Sequence, residues 1–167
     1  MNLSPILILT TGGTIDKQYF DALSQFQIGE SAIGHTLKTA RVVYPFRVVE
    51  LMRKDSLDLT SSDREIIVEA VESAAEKFVI ITHGTDTMAE TARALSDQSA
   101  KTIVLAGALT PAAFHESDAT FNLGMAVACC QIAPPGVYVT MNGTVFDGKR
   151  VTKDRENGIF CFVGTPA

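Results

Sequence analysis

The side chains of Thr14, Tyr19, Thr85, Asp86 and Lys153 have the types and spacing that chemistry by an activated hydroxyl needs. An apolar run ending at Leu9 gives way to Thr10-Thr11-Gly12-Gly13-Thr14, and a second, Phe-Val-Ile-Ile-Thr at 78–82, to His83-Gly84-Thr85-Asp86-Thr87. A threonine hydroxyl is a weak nucleophile until a neighbour takes or shares its proton, so each hydroxyl needs a partner with a tuned pKa. Tyr19 follows Thr14 closely enough for a loop to fold it back over that hydroxyl. Lys153 is the candidate to activate Thr85, and the Asp86 carboxylate suits an ammonium group.

These residues need strands behind them. Ile6 to Thr10 reads as a buried first strand, and residues 41–51, around Pro45, as an edge or irregular strand. Ser62-Asp63-Arg64-Glu65 matches a capping box and opens a helix in which Ile66, Ile67, Ala70, Val71, Ala74 and Ala75 recur at helical spacing. Strands at 78–82, 102–107 and 136–141 then alternate with helices at 87–95 and 120–132. Continuous apolar strands separated by helices predict a doubly wound α/β fold with a mostly parallel sheet covered on both faces. Ligands bind such folds at the carboxyl ends of the strands, where residues 10–14, 83–87 and 107–108 fall. After Met141, the turn pairs Asn142-Gly143 and Asp147-Gly148 predict a hairpin-like extension. No linker divides the sequence, so residues 1–167 read as one domain.

Composition narrows the function. Of 167 residues, 46% are hydrophobic and 20% charged, as in a packed protein, and the net charge of −5 argues against nucleic acid as a partner. No apolar run reaches membrane-spanning length and the N-terminus lacks a basic leader, so the expected location is cytoplasmic. Cys129, Cys130 and Cys161 form neither a disulfide framework nor a zinc pattern, and read as small core residues. GxSxG, HExxH and P-loop patterns are absent. Gly12-Gly13 suits either a tight turn or an anion cradle. His83 suits either a backbone-bonded strut or a general base.

Taken together, Thr-Gly-Gly-Thr-Ile at 11–15, Ile-Thr-His-Gly-Thr-Asp-Thr-Met at 81–88, Val-Leu-Ala-Gly-Ala at 104–108 with Thr110-Pro111, Phe-Asn-Leu at 121–123 and residues 142–153 resemble the bacterial-type L-asparaginase family. The resemblance covers nearly the whole chain in order. It implies the fold of that family's N-terminal domain and hydrolysis of L-asparagine without metal or organic cofactor. Thr14 would be the acyl-accepting nucleophile with Tyr19 as its loop tyrosine, and Thr85, Asp86 and Lys153 the second triad. Gly13, Ser56, Gly84, Thr85 and Asp86 would line the substrate, Ser56 meeting its α-carboxylate and Asp86 its α-ammonium group, with Asp58 in the same segment. Alternatives are a broader amidase or glutaminase, and a non-catalytic amino-acid-binding module.

The resemblance also implies a homo-oligomer, dimer or tetramer, because family sites are assembled between subunits. The sequence resembles short members without the usual C-terminal domain, which implies no counterpart to the acidic residue that domain contributes. Glu30 stands as a substitute for it or as a solvated loop carboxylate. Leu57 replaces a generally polar contact, and residues 19–41, with Gly29 and Gly34 as hinges, are the lid candidate or an ordered surface loop.

Overall fold

In the computed structural model, which describes residues 3–20, 25–98 and 100–164, the apolar runs become adjacent strands. They are β1 (Ile6–Gly12), β5 (Phe78–Thr82), β6 (Thr102–Ala106) and β7 (Gly136–Met141), joined at one edge by β4 (Phe46–Lys54) and at the other by β8 (Thr144–Asp147). The order β4-β1-β5-β6-β7-β8 is parallel from β4 to β7, and only β8 runs antiparallel. Thr10 lies beside Thr82, Thr82 beside Ala106 and Ala106 beside Thr140, so the strand ends form one level rim.

Both faces are covered, as the unbroken apolar runs require. Ile6, Ile8, Ile80 and Val104 pack with residues of α1 (Ile33–Thr39) and α4 (Ala119–Ile132). Leu7, Leu9, Ile81 and Leu105 pack with α2 (Ser61–Ser73) and α3 (Met88–Ala94). Cys129 and Cys130 lie in the first of these layers, where burial pushes their thiols up to about 11 and about 12, the behaviour of apolar core residues. The chain leaves β1 for β4 on one side and then returns to β5 on the other. That reversal between β1 and β5 opens a crevice at their carboxyl ends.

The remaining strands form two small ribbons. β2 (Lys17–Phe20) pairs antiparallel with β3 (Gln25–Ile28), and β9 (Val151–Asp154) with β10 (Ile159–Phe162). The second is the expected extension: Asn142 and Gly143 both take positive φ, 50° and 71°, in the tight turn between β7 and β8. The Asn142 side-chain oxygen then accepts the Phe160 N–H at 2.8 Å and ties β10 to that turn. The first ribbon and α1 account for much of the segment read as a lid or an ordered surface loop; residues 21–24 lie outside the described residues.

The cap of α2 differs from the sequence expectation. The helix begins at Ser61 with Thr60 as its cap, not at Ser62. Thr60 Oγ1 accepts the Asp63 N–H at 3.2 Å while the Asp63 carboxylate takes the Thr60 N–H and O–H at 2.9 and 2.8 Å. Lys54, at the end of β4, reaches the other Asp63 oxygen at 2.7 Å. This tertiary anchor selects Asp63 as the third helical residue, and with the Thr60 bonds it holds the carboxyl down to about 2. Thr60→Ala is expected to lower stability by about 1 kcal/mol and Ser62→Ala to leave it unchanged, as read from urea midpoints at pH 7.

Candidate active site

At the β1/β5 crevice, backbone meets backbone. A Cβ on Gly13 would stand 2.4 Å from the Gly84 Cα, and a Cβ on Gly84 would stand 2.6 Å from both Cβ and Oγ of Ser56. No residue larger than glycine fits either position without displacing main chain, and Gly13 also takes φ 86°. This is the close approach for which the sequence left a turn and an anion cradle open. It makes Thr14 and Thr85 the successors of two touching residues.

Ser56 forms the floor. It is buried, its Oγ accepts the Asp86 N–H at 3.3 Å, and its carbonyl accepts the Thr87 hydroxyl at 2.7 Å. Acting as acceptor, the Ser56 hydroxyl keeps its own proton to donate. Leu57 and Asp58 are exposed beside it. Gly13, Gly84 and Ser56 are thus brought together.

Above this floor the ribbon β9–β10 delivers Lys153. Its Nζ donates to Thr85 Oγ1 at 2.8 Å and to Asp86 Oδ1 at 2.7 Å. The lysine side chain is 12% exposed, against 34% for Asp86, so the ammonium group is largely shielded while one face of the carboxylate meets solvent. Arg155 Nη2 adds a longer bond, 3.4 Å, to the Asp86 carbonyl, a contact with no signal in the sequence. The arrangement orients Thr85, fixes the cation beside it and leaves Asp86 able to take a second positive group.

His83 resolves as a strut. It is fully buried, with Nδ1 at 2.7 Å from the Gly84 carbonyl and Nε2 at 2.8 Å from Thr91 Oγ1. A carbonyl only accepts, so Nδ1 carries the hydrogen and Nε2 accepts the Thr91 hydroxyl. Burial lowers the imidazole to about 4, keeping it neutral.

Thr14 opens a 3-10 turn, Thr14–Asp16, and is half-buried. Tyr19 is 53% exposed on β2, its ring 5.3 Å from that of Phe26. Among the described residues it makes no hydrogen bond to Thr14, so Thr85, Asp86 and Lys153 are assembled and the Thr14–Tyr19 pair is not. Glu30 is exposed and lines a cleft with Thr10, Ser31, Gly34, Val48 and Glu50, none of them in the triad. A groove of about 660 Å³ lies between the β2–β3 ribbon and the end of β4, bordered by Lys17, Phe26, Asp55 and Asp58. A cavity of about 480 Å³ against α2 and α3 includes no site residue.

Sequence reasoning missed Asp16. Its carboxyl is 4% exposed, Oδ1 has no partner, and it sits in the turn that carries Thr14. Burial raises it to about 6, with Ser31 and Arg53 opposing and Glu50 reinforcing. The only sequence signal was a carboxylate directly after the buried Ile15. Because the folded pKa lies above the unfolded value, the folded state holds the proton more tightly, and stability falls as pH rises from about 4 through about 6. Asp16→Asn removes that cost. At pH 7.5 its urea-derived stability is expected to exceed wild type by on the order of 2–3 kcal/mol, the two converging at pH 4.

Among the described residues, no helix is long and apolar enough to cross a membrane, and no three His, Cys, Asp or Glu side chains are grouped to hold a metal ion. The family model described as Asparaginase, N-terminal, matches residues 5–166. The L-asparaginase of Thermococcus kodakarensis is 32% identical over 94% of this chain and 50% of its own. A solved structure described as the thermostable L-asparaginase from Thermococcus kodakarensis superposes with a TM-score of 0.83 at 28% identity over 97% of this chain and 52% of that one. L-asparaginase 2 of Escherichia coli is 30% identical over 96% of this chain and 49% of its own, and the glutaminase-asparaginase of Pseudomonas fluorescens 27% over 90% and 46%. The chain spans about half the length of these curated relatives. With the sheet order, the touching glycines and the Lys153 triad on one crevice, the match over nearly every residue shows that the chain belongs to the asparaginase family.

Proposed function

We propose that this protein is an amidohydrolase that converts L-asparagine to L-aspartate and ammonia through a threonine acyl-enzyme. The observation that carries the reading is the Lys153 Nζ contact to both Thr85 Oγ1 and Asp86 Oδ1 at the strand-end crevice. Family membership supports it, as do the names of the relatives. In this reading residues 1–167 act as one N-terminal-type domain.

The substrate's α-ammonium group lies against the open face of Asp86 and its α-carboxylate against the Ser56 hydroxyl. Thr14 Oγ attacks the side-chain amide carbon, with Tyr19, on the β2–β3 ribbon, as the tyrosine that serves it. Gly13 N–H is already spent on the Lys54 carbonyl at 3.0 Å, and the Thr14 and Thr85 N–H groups are the donors proposed for the oxyanion. Collapse breaks the C–N bond, and the nitrogen leaves as ammonia with the proton taken from Thr14. Water, oriented by the Thr85 hydroxyl that Lys153 holds, then attacks the ester carbonyl, and its proton passes to Thr14 Oγ as the acyl–oxygen bond breaks.

A broader amidase is the second reading, supported by the Pseudomonas fluorescens relative and by Leu57, which is 64% exposed at the substrate segment and offers no polar side chain to reject a longer amide. Ammonia release from L-asparagine and L-glutamine near pH 8 separates the two. Thr14→Ala is expected to abolish release, and Lys153→Met to lower kcat by at least about 100-fold, both with wild-type circular dichroism. Equal rates on the two amides would select the broader activity. Unchanged turnover in Thr14→Ala would remove the nucleophile assignment, and binding of L-aspartate without any turnover would select the binding module.

A further inference from the structure

Asp118 occupies the N-cap of α4 but does not cap it. An aspartate there ordinarily accepts the second or third N–H of its own helix. Here the Ser117 hydroxyl takes the Ala119 N–H at 3.0 Å, and the Asp118 carboxylate turns back along the chain. Its Oδ1 accepts the N–H groups of Leu109 and Thr110, each at 3.0 Å, and its Oδ2 accepts Asn122 Nδ2 at 2.8 Å. The same Asn122 amide reaches the Gly107 carbonyl at 3.0 Å, and the Asn122 carbonyl accepts the Thr140 hydroxyl at 3.3 Å. The segment from β6 to α4, residues 107–118, is thereby held to the rim of the sheet at both ends.

What that segment touches gives the arrangement its meaning. The Ala112 N–H donates to the Ile15 carbonyl at 3.0 Å, inside the turn that carries Thr14. The Phe114 ring stands 5.7 Å, edge-on, from Phe26, which in turn packs against Tyr19. At its start, a Cβ on Gly107 would stand 2.4 Å from the His83 carbonyl and 3.4 Å from Thr85 Cγ2. One segment therefore braces the Thr14 turn, the Tyr19 ribbon and the back of Thr85.

We infer that Asp118 is a positioning residue: its carboxylate builds the 107–118 brace that seats the Thr14 turn and the Tyr19 ribbon in one geometry. As far as it concerns turnover, this rests on the amidohydrolase reading. It touches neither substrate nor either hydroxyl, and it acts through Ala112 and Phe114. A misplacement of reacting groups by about 1 Å costs on the order of 100-fold in rate, so the brace is expressed in kcat more than in KM.

The test compares wild type, Asp118→Ala, Asp118→Asn and Phe114→Ala by amide hydrogen exchange and by ammonia release. Asp118→Ala is expected to speed exchange at Ala112 and across Lys17–Phe20 and Gln25–Ile28 by at least about tenfold, with β5 and β6 amides unchanged. Its kcat should fall by at least about tenfold while KM moves less than about threefold. Asp118→Asn, which keeps one acceptor oxygen, should fall between it and wild type, and Phe114→Ala should loosen the ribbon but not Ala112. Exchange confined to residues 107–110, or an unchanged kcat, overturns the inference. If β5 and β6 also loosen in Asp118→Ala, Asp118→Asn decides on the same criteria. If wild type releases no ammonia from either amide, the amidohydrolase reading falls, and the exchange pattern alone decides the brace.

Discussion

The structure depends on one steric constraint, the contact of Gly13 with Gly84 across the reversal between β1 and β5. Parallel neighbours keep their main chains a strand spacing apart along the sheet, and only beyond the rim do the chains close on each other. Two residues without side chains allow that closure, and Ser56 slides beneath the second of them. Every polar element of the site is then placed relative to main chain, which is the least deformable reference a protein has. Hydroxyls borne on such a support need little reorganisation to meet a developing charge.

Two buried titratable groups near this contact behave in opposite ways. His83 is neutral and satisfied on both ring nitrogens, so it stiffens the segment after β5 without adding charge. Asp16 is unsatisfied at one oxygen and held near neutrality's acid side, so the turn carrying Thr14 retains an unrelieved electrostatic cost. Costs of this kind concentrate where a fold has been shaped for chemistry.

Much of this was legible in the sequence. The central strands at 78–82 and 136–141 fall where the unbroken apolar runs lie, because burial on both faces leaves no other pattern. The glycines and hydroxyls at the strand ends mark the crevice, and the residue types of Lys153 and Thr85 suit the hydrogen bond the structure shows between them. The cap falls at Thr60, two residues before Ser62, because Lys54, outside the four-residue span of a capping box, anchors Asp63. Nothing in Lys17–Phe20 announces β2, because it has no apolar alternation. The role of Asp118 was hidden for a similar reason: its side chain serves a preceding segment, and local capping rules look only forward.

The delivery of Lys153 by β9 has a consequence in time. Asp86 and Lys153 are separated by 67 residues, and a ribosome adding about 5–20 residues per second takes roughly 3–13 s to make that stretch. Throughout that interval Thr85 and Asp86 have already been synthesised and their cation has not. A nascent chain therefore carries the Asp86 carboxylate without its lysine partner for that interval, and the hydrogen-bonded triad closes only when the ribbon carrying Lys153 docks.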